Sequence, residues 1–109
     1  MSARRSRTTN PFHFRRRQIQ LGIMAEAINR AARLQAAHGT GVQTLVRWLD
    51  EPYGREVLEI AAIVPFEDAR DCCIGLIRTL ADESRSVDRS ELGRLLRDVD
   101  APKAGHRVA

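Results

Sequence analysis

Aromatic side chains are scarce in this chain: Phe12, Phe14, Trp48, Tyr53 and Phe66 are all of them among 109 residues. A core built mainly from Leu, Ile, Val and Ala suits packed helices better than a β-sandwich. Cysteine is limited to the adjacent pair Cys72 and Cys73. Neighbouring positions on a helix point about 100° apart. A mutual disulfide there would be strained, so both read as reduced thiols packed as small apolar groups in a cytoplasmic protein. The pair lacks a CxxC spacing, and His13, His38 and His106 have no Cys, Asp or Glu at metal-ligand spacing. No cofactor and no metal are expected. The seven glycines are scattered, without a phosphate-cradling loop or a GxSxG turn. No apolar run approaches ~18 residues, so no membrane span is expected. The N-terminal arginines are followed by no apolar h-region, which argues against a secretory signal.

Acids are missing locally. Residues 1–17 hold Arg4, Arg5, Arg7, Arg15, Arg16 and Arg17 and no carboxylate, a charge of +6. The rest holds 12 basic against 14 acidic residues, a charge of −2, so the net +4 belongs to the arm. Six guanidinium groups with Phe12, His13 and Phe14 interleaved suit phosphate contacts and base stacking. The plainer reading is a solvated basic tail, and the net negative body supplies no further attraction. Nucleic acid bound through those six arginines is the alternative function.

What is present organises as one all-α domain, a compact bundle of about five helices with a long first helix and a disordered basic N-terminal arm. The divisions expected are a basic flexible arm over 1–13, a helical domain over 14–100 and a flexible tail over 101–109. The best-specified stretch is 66–83, around which the core is expected to assemble. Ala69, Cys72, Cys73, Leu76, Ile77 and Leu80 fall on one face of it within about 140°. Glu67, Asp68 and Asp71 sit near the positive end of its dipole. The first helix runs from Phe14 to His38 and stops at Gly39. Its polar wedge is Glu26, Asn29, Arg30 and Arg33, with Glu26 placed to pair with Arg30 at i+4. Thr40 and Gln43 form a capping box for a short helix that buries Val42, Leu45 and Leu49, with Trp48 beside them. Residues 52–64 read as a helix from Pro52 to Pro65, with Tyr53, Val57, Ile60, Ala61 and Val64 on one face. The rival strand has no partner strand to satisfy its backbone. Asp88 and Glu91, with Val87 and Leu92 as a hydrophobic staple, open a helix over 89–99 that buries Leu92, Leu95, Leu96 and Val99.

Chemistry is harder to find. The carboxylate pairs Asp50-Glu51, Glu67-Asp68 and Asp82-Glu83 lie at helix ends, where dipole electrostatics accounts for them. Acids near the cysteines would raise a thiol pKa rather than activate it. No catalytic residue is expected, and an enzyme is not. A helix-turn-helix across 57–80 fits poorly, because its recognition helix would present Glu67, Asp68 and Asp71 to phosphates.

The first helix carries more apolar surface than it needs. Leu21, Met24, Ala25, Ile28, Ala31, Ala32 and Ala36 form one stripe, and Ile23, Ala27 and Leu34 form a second beside it. Together they cover roughly 220°, against the ~100° or more of a surface helix. Either the other helices surround it or a partner covers it. The partner reading assigns an interface to Ile23, Met24, Ala27, Ile28, Ala31 and Leu34, with a homodimer in which Ala27 and Ala31 permit close helix approach. The function expected is a non-catalytic small helical regulatory protein, acting by protein–protein binding as an adaptor or anti-activator of a transcription regulator. The alternative is a DNA-binding transcriptional regulator using the arginine arm.

Overall fold

The computed structural model describes residues 11–98, with side chains from 14 to 97. Arg4, Arg5, Arg7, Val99, His106 and the expected flexible tail lie outside the described residues. Within them the chain is all-α: α1 (Pro11–His38), α2 (Gly41–Leu49), α3 (Pro52–Ala61), α4 (Phe66–Glu83) and α5 (Arg89–Asp98). None is long and apolar enough to cross a membrane.

Helix α1 begins at Pro11 rather than Phe14, since proline's fixed φ and missing N–H suit a first helical position. It ends where Gly39 takes a φ of +71°, a conformation glycine adopts without steric cost. Its 28 residues span about 42 Å at 1.5 Å per residue. The protein's longest dimension is 52 Å, so α1 crosses the whole domain. It packs against each of the other four helices. Helix α4, 66–83, likewise packs against the other four, so the core assembles around the α1–α4 pair with α1 as its hub. Helix α4 buries Ala69, Cys73, Leu76, Ile77 and Leu80 against that hub, while Cys72 is only half-buried.

The connections are tied by side chains from distant positions. Helix α3 stops at Ala61, three residues before its expected end, and Ala62 turns extended with φ −92° and ψ 145°. The reason lies at Pro65. The Ala61 carbonyl would accept from the N–H of residue 65, which proline does not have. Arg17 supplies the missing donor: its Nε donates to the Ala61 carbonyl at 2.8 Å. Its Nη2 donates to the Gly93 carbonyl on α5 at 3.2 Å. Ile63 N–H then donates to the Leu96 carbonyl at 3.3 Å, joining the α3–α4 link to α5.

The capping box expected at Thr40 does not form. Its backbone, with φ −113° and ψ 5°, is outside the extended region of a side-chain cap, and the hydroxyl makes no cap bond. Gln35 of α1 takes over, its Oε1 accepting from Val42 N–H at 3.0 Å. The cap at Asp88 forms as its sequence indicates, Oδ1 accepting from Glu91 N–H at 2.8 Å. Val87 and Leu92 are both buried. Asn29, read as part of a solvent-facing wedge, instead clamps the α4–α5 link. Its Nδ2 donates to the Val87 carbonyl at 2.9 Å, and its Oδ1 accepts from Val87 N–H at 2.8 Å.

Candidate protein-binding groove

The six interface residues assigned to α1 divide between two environments. Met24 and Ile28 have no exposed surface and Ala31 has 2%. They belong to the core, which withdraws Met24 and Ile28 from any partner; the surrounding helices account for that stripe. Ile23, Ala27 and Leu34 are half-buried and line an open groove of about 250 Å³ between α1 and α2. Ala31 reaches its floor, and Thr44, Leu45 and Trp48 form its α2 wall. The second stripe is thus only half covered by the rest of the fold.

Two exposed apolar side chains extend this surface. Ile19, 56% exposed, stands one helical turn before Ile23. Tyr53, 58% exposed, meets the Trp48 ring edge-on with centroids 6.1 Å apart and planes at 73°, an arrangement aromatic quadrupoles favour. Tyr53 was expected on the buried face of its helix; its place at the first turn, against Trp48, puts it outside. Gly54 makes that contact possible, because a Cβ there would lie 2.2 Å from the Trp48 carbonyl oxygen. Sequence reasoning missed Ile19 and Tyr53 as site residues. The available signals were the i, i+4 spacing of Ile19 and Ile23 and two aromatics flanking the break at Pro52.

The rim is charged. Glu26 and Arg30 both line the groove. The i, i+4 pair expected between them is absent, and neither they nor Arg33 make an ion pair with any described residue. A second groove, of about 440 Å³ between α1 and α4, is lined by Asn29, Arg33, Ser84 and Arg85 among others. Its polar groups are largely engaged internally, Asn29 with Val87 and Arg85 with Glu83 at 2.6 Å.

Three arginines of the alternative nucleic-acid site can be placed. Arg15 is exposed. Arg16 stands 3.6 Å from a Glu56 carboxylate oxygen, with both side chains largely solvated, so that pair contributes little to stability. Arg17 is committed to two backbone carbonyls. Burial, with Arg97 nearby, lowers its pKa from the ordinary arginine value. It is a fastener of the fold.

Neither cysteine is activated. Burial, together with Cys72, pushes the Cys73 thiol far above the ordinary range, and burial raises Cys72 as well. Among the described residues no group of three His, Cys, Asp or Glu side chains could hold a metal ion.

Residues 13–94 match a family of unknown function, DUF6280. No curated protein and no solved structure matches the chain. The family match covers about three quarters of the sequence, from the first turn of α1 into α5 and including every residue of the groove, and the chain belongs to that family.

Proposed function

We propose that this chain is a non-catalytic regulatory protein of the cytoplasm that acts by binding another protein, as an adaptor or anti-activator of a transcription regulator does. The observation that carries this reading is the open apolar face of α1 and α2. It runs from Ile19 through Ile23, Ala27 and Leu34 to Trp48 and Tyr53 and is bordered by unpaired Glu26 and Arg30. Contiguous exposed apolar surface rimmed by charge is characteristic of docking sites. Trp, Tyr and Arg are the side chains that most often anchor them, and a groove between two helices accepts the apolar face of a third. The commitment of Arg17 to carbonyls and the pairing of Arg16 favour this reading over the arginine arm.

A photo-crosslinking residue at Tyr53, used in nuclease-treated native extract, tests the proposal. The expected product is a discrete adduct with a protein other than the chain itself, competed by untagged chain and lost with Ile23→Glu. Adducts only with nucleic acid, or adducts indifferent to Ile23→Glu, would refute it.

A further inference from the structure

The stripe that lines the groove has a pattern that points to its occupant. Successive helical residues turn by about 100°, which places Ile23 and Leu34 along the centre of the stripe. Glu26, Arg30 and Arg33 fall along one edge, and Ala27 and Ala31 along the other. These positions are almost symmetrical about a point midway between Ile28 and Asn29. From this register, which rests on the protein-binding reading of the same face, we infer that the groove is filled by a second copy of this chain, α1 against α1 antiparallel about a two-fold axis through that point.

A two-fold contact requires a patch complementary to itself. About this axis Ile23 of each copy lies opposite Leu34 of the other. Ala27 of each lies within one residue's rise, about 1.5 Å, of the level of Ala31 of the other, so the helix backbones meet where the side chains are smallest. Helix pairs pack at 8–10 Å depending on the side chains between them, and alanine sets the near end of that range. Glu26 of each copy lies within one residue's rise of Arg30 of the other, on the same edge, with Arg33 one turn beyond. This gives the unpaired carboxylate a cation on each side and accounts for three charged groups that no described residue neutralises. A parallel two-fold pair would put the charged edge of each helix against the alanine edge of the other, leaving Glu26 without a cation. Trp48 and Leu45 of each copy wall the entering helix on the alanine edge. The groove lining is then covered by the second copy, and the transcription regulator meets the two-fold assembly at the exposed Ile19 and Tyr53 outside that lining.

Light scattering on the full chain at micromolar concentration tests this, with circular dichroism to verify helicity. The wild type should show twice the chain mass of 12.3 kDa. Glu26→Arg, a change at an exposed position, should raise the dimer dissociation constant at least about tenfold, since like charges are then juxtaposed twice. The exchanged variant, Glu26→Arg with Arg30→Glu, should recover the dimer. A wild type at 12.3 kDa, a dimer indifferent to Glu26→Arg, or an exchange that restores nothing would each overturn the inference. A monomeric wild type that still forms the Tyr53 adduct would overturn the dimer alone, whereas loss of the adduct from a dimeric chain would overturn only the functional reading.

Discussion

Two glycine-to-alanine substitutions, one methyl group each, should move stability in opposite directions. A Cβ at Gly41 would lie 1.8 Å from the Ala31 carbonyl oxygen, 2.7 Å from its carbon and 2.8 Å from Gln35 N. All three atoms are backbone of α1, which cannot rotate aside. Restoring ordinary contact requires α2 to retreat by more than 1 Å, roughly, which loosens the Leu45 and Leu49 contacts behind it. Overpacking of this kind costs about 1–3 kcal/mol, and rigid backbone on the opposing side places Gly41→Ala near the upper end. Less than ~1 kcal/mol returns from helix propensity, so the net loss is about 2 kcal/mol. For a domain near this size, 1 kcal/mol moves Tm by about 4–8 °C, giving a fall of ~8–16 °C. At Gly75, on the exposed side of α4, a Cβ meets nothing within 4 Å. There the propensity gain stands alone at roughly 0.5–1 kcal/mol, and Tm should rise by a few degrees. Thermal and urea unfolding followed by circular dichroism read both changes. A Gly41→Ala protein as stable as wild type would show that α1 and α2 are not in the described contact, and the groove built on it would fail too.

Replacing Arg17 with Gln should destabilise the domain by about 2 kcal/mol, because two charge-assisted bonds to carbonyls are lost; a Tm within a degree of wild type would contradict its role as a fastener. Asn29→Leu removes both bonds to Val87 and strands a half-buried backbone donor and acceptor, so urea unfolding should report a loss of about 2–3 kcal/mol. Cys73 has its folded pKa raised above the ordinary thiol value of 9.0, so the folded state holds the proton more tightly than the unfolded chain does. Stability is then complete below about pH 8.5 and declines as pH rises through and beyond 9. Cys73→Ala should flatten the decline in Tm measured between neutral and alkaline pH, and an unchanged slope would refute the assignment. A thiol reagent at neutral pH should label Cys72 before Cys73, with Cys73 reacting only on unfolding.

The helices were legible because their causes are local. The i, i+3, i+4 spacing of Ala69, Cys73, Leu76, Ile77 and Leu80, the Asp88 cap, and Pro52 and Pro65 as punctuation all act within a few residues. What escaped the sequence acts at long range. Arg17 looked like one member of a basic run; its role depends on carbonyls 44 and 76 positions away. Asn29 looked like a surface polar residue until Val87, 58 positions on, came within reach. Thr40 had the composition of a cap but not the backbone angles, and Gln35 filled the place from the preceding helix. The groove was half legible. The second stripe of Ile23, Ala27 and Leu34 could be read from spacing, but Tyr53 was assigned to the wrong side, because its orientation is set by the close approach of Gly54 to Trp48.

The central position of α1 bears on how the chain is made. Of the five helices α1 is made before those it packs against, and Gly93, to which Arg17 donates, follows 76 positions later. The part of α1 that packs on α5 therefore stays uncovered in a nascent chain until α5 is made, although α2, α3 and α4 can already lie against α1. The Arg17 bonds that tie α1 to α3 and α5 make the three open together: the amides at the middle of α1 and those of α5 should exchange with solvent at one common rate, that of global opening.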